Sequence, residues 1–513
     1  MAGDEPLFAR PSSDNSSERN IEEEDALLTG QHTNRSTAHT SPQKWREIGL
    51  FAWAMIATVA VIVLAVVYQH ESSIKHDQSK WGPGGKPSGK RNLIFMVSDG
   101  MGPTSLSLTR SFRQHTSGLP VDDVLVLDRH LIGSSRTRST SSLITDSAAG
   151  ATAFSCGLKS YNGAISVLPD HSPCGTVLEA AKKAGYMTGL VVTTRITDAT
   201  PACFASHANR REYEDLIAEQ LVGHYPLGRV VDLILGGGRC HFLPNSTEGS
   251  CRTDEKDVVK MAKKQGYNYI DNREGFDNLA AATESGVKLP LLGLIAETDV
   301  PYEIDRVHVA HMYPSQAEMT KLALRALSAA TKDSEKGFFI MIEGSRIDHA
   351  GHANDPAAQV HEVLAHDEAF AAVLEFLDED DTPGVLVSTS DHETGGLAAA
   401  RQLHQTYPPY VWYPSQLVNV THSTEYLARA YAQYLADGGD KASRSEKAAF
   451  LRSTIIVDGL GITDASDKEV DAIIDAEPIW PPFYLFGDMV SRRAQLGWST
   501  HGHSGKSRSP VYP

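Results

Sequence analysis

Asn92-Leu-Ile-Phe-Met-Val-Ser-Asp99-Gly-Met-Gly102 is an apolar run that stops on an aspartate between small residues. It reads as a short strand followed by a tight turn. The pattern recurs along the chain. The run through Leu190-Val191-Val192 leads into Thr197-Asp198-Ala199-Thr200. FFIMI from Phe338 ends at Glu343-Gly344, and VLVSTS from Val385 ends at Asp391-His392-Glu393. Helical stretches separate these runs, so the order is that of an α/β fold. In open α/β sheets ligands collect beyond the carboxyl ends of the strands. A single acid there means little, because an Asp after a strand commonly caps a helix. Four acidic clusters with interleaved histidines point to one multi-metal site.

The histidine spacing narrows this. In Glu343-Gly-Ser-Arg-Ile-Asp348-His349-Ala-Gly-His352, Asp348 and His352 are four apart and share a face of any helix they occupy. A carboxylate and an imidazole on one face suit zinc. A third ligand is expected from His501 or His503. Ser147, in Thr145-Asp146-Ser147-Ala148-Ala149-Gly150-Ala151-Thr152, is the candidate nucleophile, with small neighbours that let substrate and metal approach. No G-x-S-x-G elbow surrounds it, so metal coordination rather than a histidine base is the expected route to activation. Two other patterns are decoys. His361 and His366 lie five apart, about 140° around a helix, and do not suit one zinc. Gly236-Gly237-Gly238 lacks the Lys-Ser/Thr of a phosphate loop and reads as a turn.

The chain has 513 residues, with 47 Lys+Arg against 64 Asp+Glu and a net charge of −17. That balance argues against a broad nucleic-acid surface, while bound metals still allow an anionic substrate. Residues 48–68 carry no charge and cover a bilayer core of about 30 Å. They read as one transmembrane anchor. Residues 1–47 are polar, Ser/Thr-rich and read as a disordered tail, and residues 69–91 as a Gly/Pro linker. Glu22-Glu23-Glu24-Asp25-Ala26-Leu27-Leu28 has the form of an acidic dileucine sorting signal, of the kind recognised by adaptor complexes. The basic residues flanking the span leave its orientation open. The sequons at Asn245 and Asn419 favour a lumenal C-terminal part, whereas that at Asn15 lies in the tail. Cys156 with Cys174 and Cys240 with Cys251 are close enough in sequence to pair, leaving Cys203 odd; free buried thiols are the competing reading.

Taken in order, Asp99-Gly-Met-Gly, Thr145 to Thr152, Thr197-Asp198-Ala199-Thr200-Pro201, Glu343 to Asp348, Asp391-His392 and His501-Gly-His503-Ser resemble the alkaline phosphatase family over about residues 92–505. With the tail and anchor, the chain looks like the fungal vacuolar branch of that family. The resemblance implies an α/β/α sandwich on a mixed, largely parallel sheet, preceded by one transmembrane helix. It implies a homodimer with two zinc ions and one magnesium that hydrolyses phosphate monoesters, with Ser147 becoming phosphorylated. Asp348, His352 and His503 would hold one zinc. Asp99, Asp391 and His392 would hold the second. Asp99, Thr200, Glu343 and, through water, Asp198 would serve magnesium. Arg211, four residues beyond His207, would bind phosphate, with Arg210 and Arg195 as alternatives. Pairing Asp198 with His349 mixes two family patterns. Residues 92–513 would form the catalytic domain, with a variable cap at about 393–500. From Lys506 onward the chain departs from the family pattern. Lower stability than relatives is therefore expected, and an inactive membrane-anchored scaffold is the competing function, beside a phosphodiesterase of the same superfamily.

Overall fold

The computed structural model describes residues 41–77, 81–82, 86–87, 89–282, 286–476, 482–505 and 509–511. The dileucine at Leu27 and Leu28 and the sequon at Asn15 lie outside the described residues. The chain divides into two units, 1–87 and 88–513.

In the first unit, helix α1 (Ser41–Asp77) contains the apolar stretch Trp45–Tyr68, 24 residues whose most apolar 18-residue window has a mean hydropathy of 2.8. At about 1.5 Å per residue this length crosses a hydrocarbon core of about 30 Å. Phe51 and Trp53 are each 72% exposed. In water that surface is unfavourable by roughly 25 cal/mol per Å², and a bilayer would remove the cost.

The second unit is built on a seven-stranded sheet. In chain order the strands are β1 (Asn92–Ser98), β2 (Met187–Arg195), β3 (Leu233–Gly237), β4 (Asn268–Ile270), β5 (Leu291–Leu294), β6 (Phe338–Gly344) and β7 (Gly384–Thr389). Their spatial order is β7-β1-β6-β2-β3-β5-β4. All six pairings are parallel. The expected mixture of directions is therefore absent from the central sheet described here. Among the described residues, antiparallel pairs occur in short ribbons outside it, such as Glu393–Thr394 with His503–Ser504. Each parallel neighbour needs a crossover, and helices supply the crossovers and cover both faces.

Helices α2 (Pro103–Thr116), α3 (Ser147–Cys156), α4 (Ala199–Ala205), α5 (Gln316–Thr331), α6 (Arg346–Ala353) and α7 (Pro356–Glu379) lie between or after strands. One core joins Ala151, Leu190, Phe204 and Phe339; another joins Met96, Leu327, Ile340 and Phe370. Fully burying each of the large side chains contributes about 1.5–3 kcal/mol. A third cluster, with Leu427, Tyr431, Ile455 and Phe486, holds the helices of residues 415–494.

Register brings the acids to one end. Thr389 stands opposite Val97, so Asp391 and Asp99 leave the sheet level with each other. Glu343 stands opposite both Val97 and Val192. Gly100 turns the chain after β1 with φ 70°, and its N–H donates to Asp391 Oδ1 at 3.2 Å. A Cβ there would lie 2.7 Å from Asp348 Cα, so only glycine fits.

Disulfides join Cys156 to Cys174 and Cys240 to Cys251, and Cys203 is free and buried. Burial pushes the Cys203 thiol up to about 12, so it is inert at neutral pH. Of the three glycines expected to form a turn, Gly236 and Gly237 end β3 and only Gly238, at φ 88°, turns the chain. On α7, His361 packs edge-on against Phe112, and His366 hydrogen-bonds Gln316 Nε2 at 3.2 Å. Burial lowers each imidazole to about 4.

Candidate active site

Ser147 is the first residue of α3. Asp146 caps that helix, with Oδ1 accepting from Ala149 N at 2.9 Å and Oδ2 from Gly163 N at 2.8 Å. Ser147 is buried, and its Oγ lies 3.1 Å from His392 Nε2. The N-terminal N–H groups of α3 therefore open beside the hydroxyl, where anionic oxygen is favoured.

Three imidazoles share one arrangement. His352 Nδ1–H donates to His501 O at 2.5 Å, and His503 Nδ1–H donates to Thr145 O at 2.7 Å. Thr394 Oγ1–H donates to Asp348 Oδ1, so its oxygen is left to accept from His392 Nδ1–H at 3.2 Å. With Nδ1 donating in all three, Nε2 is the nitrogen left to offer a lone pair to a cation, on His352 in place of the proton that Asp348 holds there to about 9 against burial. These lone pairs face one another and the acids. His352 Nε2 is 3.2 Å from His503 Nε2 and 3.3 Å from Asp348 Oδ2. His503 Nε2 is 3.6 Å from Asp348 Oδ1. His392 Nε2 is 3.3 Å from Asp391 Oδ2 and 3.5 Å from Asp99 Oδ1. The His392 and His503 rings stack at 3.6 Å.

Facing lone pairs and carboxylates repel unless a cation lies between them. Asp99 Oδ1 and Asp391 Oδ2 are buried and make no hydrogen bond among the described residues. Two groups, Asp348/His392/His503 and Asp99/Asp391/His392, each converge tightly enough to hold one ion. Such oxygen and imidazole sets suit zinc. Asp99, Asp198, Glu343 and the Thr200 hydroxyl supply only oxygens, which suits magnesium. A third grouping, Cys240/His241/Cys251, has its sulfurs committed to a disulfide.

The electrostatics agree. Burial, then Asp391 and the other acids, raises the Asp99 carboxyl well above its ordinary range. Burial lifts Glu343 to about 8, although Ser345 Oγ donates to it at 2.7 Å. Burial, followed by Asp348, lifts Asp391 to about 7. Burial and His503 keep His392 neutral, well below the usual imidazole range. Asp348 is held well below the ordinary carboxylate range, because the charge and hydrogen bond of His352 outweigh its burial. Asp198 caps α4; despite burial, Arg211 and Arg195 hold it at about 2.

The three arginines separate. Arg211 Nη2 donates to Asp198 Oδ1 at 2.8 Å, and its Nη1 is 3.7 Å from Asp146 Oδ2. Arg195 is turned among three carboxylates behind Asp198. Arg210 is exposed, beside Tyr161. His501 turns its ring onto Tyr484 at 3.9 Å, while His503 faces the cluster. Sequence reasoning missed Thr394, although it directly follows Asp391-His392-Glu393. It also missed Glu214 and Asp299, which carry no motif.

The alkaline phosphatase family model matches residues 90–512. The chain is 55% identical to the repressible alkaline phosphatase of Saccharomyces cerevisiae over 424 residues, 81% of this chain and 74% of that protein. It is 47% identical to an alkaline phosphatase of Schizosaccharomyces pombe over 88% of this chain and 81% of that one. The alkaline phosphatase of Thermus thermophilus superposes with a TM-score of 0.67 at 28% identity, covering 85% of this chain and 88% of that one. The cold-active enzyme of Shewanella sp. gives 0.64 at 29%, covering 82% and 93%. On these grounds the chain belongs to the alkaline phosphatase family, whose members are metal-dependent enzymes.

Proposed function

We propose that the protein hydrolyses phosphate monoesters through a phosphoserine at Ser147, with two zinc ions and one magnesium as resident metals. The observation that carries this is the gathering of the His352, His392 and His503 Nε2 atoms with buried carboxylate oxygens of Asp99, Asp348 and Asp391, His392 Nε2 lying 3.1 Å from the Ser147 hydroxyl. Asp348, His352 and His503 would hold one zinc. Asp99, Asp391 and His392 would hold the other, and Asp99, Thr200, Glu343 and water-linked Asp198 the magnesium. When bound, such ions neutralise phosphate oxygens, lower the pKa of the nucleophile and stabilise the leaving oxygen.

The chain's own groups set the rest. Ser147 is held at the start of α3, so attack comes from a fixed point and phosphate oxygens meet backbone N–H groups. Arg211 uses one nitrogen on Asp198 and keeps others for phosphate. Only the phosphoryl group is gripped, so leaving groups of many kinds are accepted. The chain would act as a homodimer. The tail would lie in the cytosol, where Leu27 and Leu28 meet adaptor complexes. The anchor would sit in the vacuole membrane in type II orientation, with a lumenal, glycosylated catalytic domain. Asn245 and Asn419 are exposed, which sequons need.

Turnover of p-nitrophenyl phosphate against its diester analogue, with zinc and magnesium content, tests the reading. Metal-dependent monoester turnover is expected, and a preference for the diester would overturn it. Arg211→Met should raise KM and the phosphate inhibition constant about tenfold or more, the worth of a lost charge-assisted contact. In extraction, the chain should stay with membranes in carbonate and leave them in detergent; release by carbonate would refute the anchor.

A further inference from the structure

The carboxylate that holds Arg211 is itself held from behind. Asp198 gives one oxygen to each of two guanidiniums. Oδ1 accepts from Arg211 Nη2 at 2.8 Å, and Oδ2 accepts from Arg195 Nη2 at 3.3 Å. Ala199 N also donates to Oδ1, at 2.7 Å. Arg195 has no nitrogen to spare. Its Nε donates to Glu214 Oε2 at 2.9 Å and its Nη1 to Asp299 Oδ1 at 2.9 Å. Its backbone N–H donates to the same Asp299 oxygen at 3.0 Å. Glu214 is steadied by Thr197 Oγ1 at 2.5 Å and faces His241 Nε2 at 3.3 Å. Arg195 is thus a fixed strut that faces Asp198 and carboxylates alone.

Arg211 differs. Among the described residues, its side chain makes one hydrogen bond, to Asp198. An arginine and a carboxylate left to themselves form a two-pronged pair. Such a pair would engage both carboxylate oxygens and two guanidinium nitrogens, and leave fewer for a bound phosphate. Arg195 prevents this by occupying Oδ2.

We propose that Arg195 is a positioning residue that sets phosphate affinity. It takes half of Asp198, so that Asp198 orients Arg211 without capturing it. The inference rests on the reading of Arg211 as the phosphate-binding group. Loss of Arg195 acts in one direction by either route. Asp198 captures Arg211 with both oxygens, or Asp198 swings free and Arg211 loses its orientation. Phosphate binding weakens in both cases.

The test uses the full chain loaded with zinc and magnesium, p-nitrophenyl phosphate as substrate and inorganic phosphate as inhibitor. Arg195→Met should raise KM and the phosphate inhibition constant together, by about tenfold, with kcat changed by less than about threefold. Arg195→Lys should fall between the two, because an ammonium reaches one of the three carboxylates. In an Asp198→Asn background, Arg195→Met should add nothing, since the effect passes through Asp198. A folded Arg195→Met enzyme with unchanged KM and inhibition constant overturns the proposal. So does a fall in kcat alone, or full additivity in the cycle. Should Arg195→Met fail to fold, Glu214→Gln and Arg195→Lys decide: a raised inhibition constant in both supports the strut, and an unchanged constant in both refutes it. Arg211→Met separates the two levels. If it leaves phosphate inhibition unchanged, the reading of Arg211 fails. If it raises the constant and Arg195→Met does not, only the strut fails.

Discussion

Ser147→Ala is expected to lower turnover of a phosphate monoester by about four to six orders of magnitude, the scale seen when a covalent nucleophile is removed. The fold should survive. Among the described residues Ser147 Oγ has one side-chain partner, His392 Nε2, and losing that hydrogen bond costs about 1 kcal/mol. Asp146 caps α3 through its own oxygens, so the helix start does not depend on the hydroxyl. Bound zinc should also be retained, because the carboxylates and imidazoles are untouched. Single-turnover assays with metal analysis check all three. Residual turnover within a hundredfold of the parent would mean that another group attacks phosphorus. Loss of zinc with turnover would move Ser147 from nucleophile to ligand.

Stripping the metals should make stability fall as pH rises from about 6.5 to 9. Glu343 at about 8, Asp391 at about 7 and Glu362 at about 7 stay protonated in the fold well above their ordinary range, as does Asp99. The folded chain then binds more protons than the unfolded one, and stability must decline with rising pH. A raised pKa means stabilisation that is fully present at low pH and lost through the folded value. His352, held at about 9 by Asp348 against burial, acts in the same direction above 6.5. His361, His366 and His392 are depressed, so near pH 6.5 only the unfolded chain protonates them; they oppose the slope there and cease to count above about 7.5. Asp198 and Asp348 are ionised in both states there. One proton held over two pH units amounts to about 3 kcal/mol. Zinc and magnesium should abolish most of the slope, because the cations replace the protons between Asp99, Asp391 and Glu343. Unfolding midpoints of chelator-treated and metal-loaded protein across pH 6.5–9 test this. Parallel curves would mean that no cation binds among these acids.

Much of the frame was legible because its signals are local. An apolar run ending on Asp99, Glu343 or Asp391 carries its strand and its turn within ten residues. The spacing of Asp348 and His352 needs only helical geometry, and both lie on α6. The span around residues 48–68 is a matter of length and charge. The decoy at His361 and His366 could be dismissed by angle alone. The direction of every strand was less legible. The expectation of a mixed sheet came from resemblance, and periodicity does not report which way a neighbour runs.

The site divides in the same way. Composition and spacing by themselves determined the α/β order, the acid-bearing strand ends, the long apolar stretch and the candidate serine. Tertiary structure alone decided which histidine nitrogens are bare, which arginine faces Asp146 and Asp198, and which stands behind. Those outcomes depend on contacts between residues far apart in the chain. His503 Nδ1 is held by the carbonyl of Thr145, 358 positions away, and Asp348 by Thr394, 46 positions away. A hydrogen bond requires about 3 Å and a defined angle, and no local pattern encodes that for two distant segments. Only the packed sheet, by bringing β1, β2, β6 and β7 to one register, sets those distances.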